Sequence, residues 1–464
     1  MSAQASTAPA GRPGLDRSLT RVALILVLGA FVALLDTTVI GVAVHALGQR
    51  FGAGPADVQW ATTGYLLALA AVIPATGWAA QRFGATRAWT GSLAVLLAGS
   101  VLCGLAWSLG SLVAFRVVQG LGAGGLFPLS RLIVVEVAGR ERMGRMMALM
   151  AVPAVLAPVV GPVVGGVLVQ ELSWRWVFLL NVPVLLAAIV LTLRFIPASR
   201  GSAAERLDAA GLVAVSGGLA LLLHGLSRLG GRAPASSWGL PLLAGAALLA
   251  GYGLWTARAA RPGVIRLGLF RDRAFAVSCA LAFLGNFALF AGAFLVPLFF
   301  QQDAAEGALG AGLVMAPQGL GMLAAVLVAG RLMDSGPPAR TMVLGGLALV
   351  LAGTLPFALV QPGSGQGLLA VALFVRGIGL TFAISPTMKT LYHSLPADRM
   401  PDATTANAIG QQLGGALGTA VVAVVLQRVL DGGSAAAGFH AAFWVTVGCV
   451  GAAMVAALRL PREA

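Results

Sequence analysis

The chain has 464 residues, of which 58% are hydrophobic and 10% charged, against roughly 25% charged in an average soluble domain. That balance excludes an ordinary water-soluble protein and describes a polytopic membrane protein. The net charge of +14 does not point to nucleic acid, because the arginines gather between apolar segments, where they act as topology signals.

Residues 1–18 are polar and rich in Ala, Pro and Ser, and read as a cytoplasmic tail. The apolar run behind them is too long for a signal-peptide core and lacks a convincing cleavage site. Segments of about membrane-crossing length then follow at 22–47, 57–80, 88–108, 111–137, 146–170, 174–196, 208–227, 238–257, 274–301, 307–333, 341–360, 366–393, 403–427 and 438–458, fourteen in all. With both termini in the cytoplasm, 22 of the 30 basic residues fall on the inner side, 5 on the outer side and 3 within segments, as the positive-inside rule requires.

In the first segment Asp36 is the sole charged residue between Arg21 and Arg50. A carboxylate at that depth costs roughly 2.5–3.5 kcal/mol on insertion scales, so it is expected to face the protein interior and mark an ion or substrate path. Burial favours the neutral form of an acid, which lets such a group take up and release a proton. Arg116, in the fourth segment, lies about 7.5 Å below the outer end of its helix and Asp36 about 16 Å below the end of its own. The length of an arginine spans much of that difference, so Arg116 is the expected partner that sets when Asp36 gives up its proton.

An internal repeat runs through the chain. GWAAQRFGATR at Gly77–Arg87 parallels GRLMDSGPPAR at Gly330–Arg340, and Gln119-Gly120-Leu121-Gly122 parallels Arg376-Gly377-Ile378-Gly379. Ala157 with Gly161 likewise matches Gly414 with Gly418. Repeats of this kind place substrate sites near the membrane midplane where the halves meet. The expected division is a tail (1–18), a six-helix bundle (19–200), a two-helix insertion (201–262) and a second six-helix bundle (263–464).

LDTTVIGVAV at Leu35–Val44, GWAAQRFGATR, FRVVQGLGAGG at Phe115–Gly125, APVVGPVVGG at Ala157–Gly166, SWRWVFLLNVP at Ser173–Pro183 and TTANAIGQQLGGALG at Thr404–Gly418 together resemble the major facilitator superfamily. Within it they resemble the fourteen-helix drug:proton antiporters of the EmrB/QacA type, over nearly the whole chain. The resemblance implies an all-α membrane protein of two six-helix bundles plus two central helices. It implies proton-driven export of lipophilic drugs, dyes or antibiotics across a bacterial cytoplasmic membrane by a monomer that needs no cofactor beyond the proton gradient. It further implies that Asp36 and Arg116 couple protons, and that Ala157, Gly161, Pro162, Gly165 and Gly166 form the antiporter hinge. Gly77, Gln81, Arg82, Gly84, Arg131 and Asp334 fall on the cytoplasmic gate. Departures are Gly41 for Asn, Gln81 for Asp, Ala85 for Arg, Ala157 for Gly and Gln411 for Arg.

Candidate cavity residues are Gln119, Trp60, Tyr65, Asn286, Phe290, Gln318, Arg376 and Gln411. Two roles stand open for Arg376, holding an anionic or carbonyl-bearing group or bonding backbone carbonyls at a kink. Arg131 can serve as a gate partner or snorkel to the inner interface. His45, His224, His393 and His440 are scattered, Cys103, Cys279 and Cys449 lie apart in apolar segments, and neither set reads as a metal site. Proton-coupled uptake, a membrane-embedded enzyme and a non-transporting sensor are the rival readings.

Overall fold

The computed structural model describes residues 17–461 apart from 151, 202–207, 230–233, 260–266, 302–307, 336, 360–365, 394, 397–398 and 431–434. Nearly all of the tail therefore lies outside the described residues. Fifteen α-helices are described: α1 (Arg17–Phe51), α2 (Pro55–Phe83), α3 (Ala85–Gly104), α4 (Leu109–Leu149), α5 (Val152–Glu171), α6 (Trp176–Leu179), α7 (Asn181–Phe195), α8 (Ala209–Leu229), α9 (Ala235–Ala259), α10 (Arg273–Gln301), α11 (Ala308–Ser335), α12 (Ala339–Leu359), α13 (Gln366–His393), α14 (Met400–Leu430) and α15 (Ala435–Ala457). No strand occurs among the described residues.

Apolar runs of 20 or more residues with few charges become helices here because only a helix satisfies its own backbone polar groups in lipid. Twelve helical spans among the described residues are long and apolar enough to cross a membrane, with α6 and α7 counted together. Helices α5 and α11, of 20 and 28 residues, bring the total to the expected fourteen.

The first half packs α1 against α4, α5 and α7, and α4 against α2 and α3. In the second half α10 packs against α13, α14 and α15, and α13 against α11 and α12. The duplication extends to individual contacts. A Cβ on Gly120 would collide with the Tyr65 carbonyl, and one on Gly377, 257 positions later, with the Gln318 carbonyl. These small residues allow the close helix approach on which membrane packing relies. The Ser100 hydroxyl donates to the Leu96 carbonyl (2.9 Å) as that of Thr354 does to Val350 (2.7 Å).

The halves meet unevenly. At the end carrying the arginine-rich loops, one buried apolar cluster joins Trp89, Leu132 and Leu185 to Phe275, Met388, Leu391 and Met400. At the opposite end each half keeps its own cluster, Leu47, Leu112, Trp174 and Phe178 in one and Phe299, Phe357, Leu369 and Phe439 in the other. The inserted α8 packs on both α2 and α14, where Val215, Leu219 and Leu223 meet Ile73 and Ile409. At one end of this contact His224 stacks on Trp60 at 5.7 Å.

Candidate functional site

Asp36 is 1% exposed and Arg116 fully buried, and the two form an ion pair between α1 and α4 through Oδ2 and an η nitrogen. The same η nitrogen of Arg116 donates to Gln119 Oε1 at 2.8 Å, and its ε nitrogen donates to the Ala61 carbonyl of α2 at 3.0 Å. The other η nitrogen has no hydrogen-bond partner. The guanidinium lies 4.1 Å from the centroid of the Tyr65 ring, close enough for the π face to offset part of the missing bond. Tyr65 is held by donating to the Ala33 carbonyl at 3.2 Å.

The other carboxylate oxygen, Asp36 Oδ1, accepts from Gln119 Nε2 and from Asn181 Nδ2, each at 2.9 Å. Gln119 also donates to Ser100 of α3 at 2.9 Å. One carboxylate therefore ties α1, α4 and α7 directly, and α2 and α3 through Arg116 and Gln119. Three donors therefore converge on the two oxygens of one buried carboxylate, which leaves little of its acceptor capacity unused.

Asn181 was not among the candidate residues, although SWRWVFLLNVP contains it. The break at Leu180 between α6 and α7 makes Asn181 the first residue of α7, and a buried asparagine at such a break was the available signal. Gln119 and Tyr65, expected to line the substrate cavity, are instead fully buried in this cluster.

Of the residues expected to form the hinge, Gly165 lies beside the cluster. A Cβ on Gly165 would come within 2.8 Å of Val39 Cγ1, so α5 crosses α1 one turn from Asp36. Gly161 and Ala157 are buried, while Gly166 faces open space. The side chain of Pro162 lies outside the described residues, as does that of Asp334.

At the arginine-rich end, Gln81 Nε2 donates to Asp402 Oδ1 across the halves at 3.1 Å. Beside it Thr76 and Thr405 hydroxyls meet at 3.5 Å, and Gly77 presses against Thr405 and Pro401 with no room for a Cβ. Arg131 reaches across to Gln411 Oε1 at 3.2 Å, so both its candidate role and that of Gln411 fall at the junction of the halves. Gly84 takes a φ of +87°, which side chains rarely adopt, and a Cβ there would strike the Ser199 carbonyl. Arg82 is half-buried at the end of α2.

Of the second-half residues, Arg376 is 2% exposed and donates to Gln318 Oε1 of α11 and to the Ala288 carbonyl of α10. Asn286 donates within its own helix to the Ala282 carbonyl at 2.9 Å. Trp60 and Phe290 remain 39% and 48% exposed.

The chain was compared with known proteins. The Major Facilitator Superfamily profile matches residues 26–419. The Multidrug resistance protein B homolog of Mycobacterium tuberculosis is 37% identical over 431 residues, covering 90% of this chain and 80% of that protein. The Tetracenomycin C resistance and export protein of Streptomyces glaucescens is 32% identical over 418 residues, covering 88% and 76%. Among solved structures, the human organic anion transporter MFSD10 superposes with a TM-score of 0.65 at 16% identity, covering 95% of this chain and all of that one. The proton:xylose symporter XylE gives 0.66 at 14%, covering 95% of each. The solved structures support the fold, and the profile with the curated relatives establishes the lineage: this chain is a multi-pass membrane protein that belongs to the major facilitator superfamily.

Proposed function

We propose that the chain exports lipophilic small molecules across a bacterial cytoplasmic membrane in exchange for protons, with Asp36 as the proton site. The observation that carries this reading is the Asp36 carboxylate of α1, buried between Arg116 and Gln119 of α4 and Asn181 of α7. The names of the relatives, multidrug resistance and antibiotic export, support the direction of transport and the substrate class.

In this reading the arginine-rich end is cytoplasmic, both termini lie inside, and the shared core at that end closes the transporter to the cytoplasm. The division into bundles at 19–200 and 263–464, with 201–262 as an insertion, gives the two bodies that rock. A proton arriving from outside neutralises Asp36 and frees Arg116 or an amide donor. That loosens α1 from α4 and α7 and lets the halves part at the Gln81–Asp402 and Arg131–Gln411 ties. Gly165, crossing α1 beside Asp36, carries the change into α5. Proton release to the cytoplasm restores the charged cluster once substrate is aboard, and the loaded transporter turns outward. The protein acts as a monomer, its partners are a lipophilic substrate, protons and the bilayer, and no nucleic acid or cofactor takes part.

The test is ethidium efflux driven by an imposed proton gradient in vesicles of known orientation. Asp36→Asn should abolish gradient-driven efflux while the protein reaches the membrane in normal amount. Undiminished efflux by that variant would reject Asp36 as the proton site, and flux in the opposite direction would reject export.

A further inference from the structure

Arg376 occupies the position in the second half that Gln119 occupies in the first, as the Gly120 and Gly377 contacts show. The first half sets its buried arginine against an acid. The second half sets Arg376 against two neutral oxygens, Gln318 Oε1 and the Ala288 carbonyl, and no carboxylate pairs with it among the described residues. The space it fills is kept by glycine. A Cβ on Gly292 would come within 2.6 Å of the guanidinium, and one on Gly353 within 2.6 Å of Arg376 Cβ.

A guanidinium carries five N–H donors in a rigid fork and does not deprotonate in proteins. Placed in a membrane interior without an anion it is costly, and residues of that kind face substrate paths. Two amide-type oxygens satisfy part of its hydrogen-bonding capacity and none of its charge. An anionic oxygen pair is a better partner than either, because charge-assisted bidentate bonds are about twice as strong as neutral ones. Gln318 is a side chain and can swing aside to admit such a group, whereas the Ala288 carbonyl stays with its helix.

We propose that Arg376, with Gln318 as its exchangeable stand-in, is a binding site for the anionic head of a lipophilic substrate, a carboxylate or an acidic phenol or enol. The site belongs to the export reading above and gives its substrate class. Proton chemistry then occupies the first half and anion recognition the second. A substrate carrying one negative charge neutralises the buried cation during transit, and the cation is left with its neutral stand-ins on the return.

The experiment measures equilibrium binding of radiolabelled diclofenac, a lipophilic carboxylate, and of its uncharged methyl ester to the purified full chain in detergent at neutral pH. The wild type should bind the acid at least about tenfold more tightly than the ester, the difference expected from charge-assisted hydrogen bonding. Arg376→Gln should erase that preference, weakening acid binding far more than ester binding. Gln318→Glu, which supplies an internal counter-ion without removing the arginine, should erase it too and decides the matter if the first variant fails to fold. Equal binding of acid and ester by the wild type, binding of neither, or a preference that survives in a folded variant overturns the anion site. Proton-driven efflux of tetraphenylphosphonium in proteoliposomes reports separately on export. Efflux without acid preference removes the anion site alone, and acid preference without flux of any of the three compounds removes the export reading alone.

Discussion

The two halves of the molecule share a frame and differ in where they put charge. In each, a glycine on the fourth helix of the half lies against a carbonyl of the second, and a hydroxyl on the third returns to its own helix one turn back. Within that frame the first half places Gln119 against Asp36, with Arg116 one turn away closing a neutral pair. The second places Arg376 where Gln119 stood and, among the described residues, bonds it to two neutral oxygens. Duplication has thus supplied two similar sockets. One holds an internally paired acid and base, and in the other no acid stands beside the arginine among the described residues.

The comparison breaks most readily on stability. Arg116→Ala strands a buried carboxylate and should cost about 3–5 kcal/mol, read as a large fall in melting temperature in detergent and loss of transport. The double variant Asp36→Asn with Arg116→Gln should recover most of that stability and none of the gradient-driven flux. Arg376→Gln removes a cation with no acid beside it among the described residues, so its cost should stay near the roughly 1–3 kcal/mol of disturbed hydrogen bonds. Equal losses from the two arginines would mean that the halves are not asymmetric in the way described.

Much of this was legible before any coordinates, for physical reasons particular to membranes. Uninterrupted apolar runs admit only helices, and one charged residue in such a run advertises itself, which is why Asp36 and Arg116 could be paired from sequence. Helical spacing brings Gln119 and Tyr65 to Arg116 without saying whether they face a ligand or the ion pair, and in the structure both are buried against that pair. Asn181 escaped notice because its role depends on the break between α6 and α7 aiming it at another helix, 145 residues away in sequence. Asp402 gave no signal at all, since an acid in the first turn of a helix is commonplace next to the helix dipole. The pairing with Gln81 across the halves distinguishes it.

Asn181 offers a finer probe of the first socket. Its amide donates to Asp36 Oδ1, so Asn181→Ala removes one of the three donors on the carboxylate. Hydrogen bonds to charged groups are worth about 1.5–3 kcal/mol, so the variant should melt lower in detergent by a corresponding amount, and the same substitution should cost less in an Asp36→Asn background. The other groups close to the carboxylate, Arg116, Tyr65 and Cys103, remain in place. Equal costs in the two backgrounds would reduce Asn181 to a packing residue.

The smallest effect is expected at the closed end, where the first half lacks the acid that its relatives' loop motif would carry and the second supplies Asp402 instead. Gln81→Ala deletes one hydrogen bond between the halves, worth about 0.5–1.5 kcal/mol, a shift of roughly two- to tenfold in the ratio of closed to open arginine-rich ends. Spin labels on exposed residues at the ends of α2 and α14 would read that ratio as a change in the populations of short and long distances. Gln81→Asp should open this end further than Gln81→Ala does, because it sets two carboxylates face to face, and Asp402→Asn added to it should bring the populations back. If Gln81→Asp instead tightens the closed state, the acid of the loop motif has a partner other than α14, and the tie between Gln81 and Asp402 is a consequence of closure rather than one of its causes.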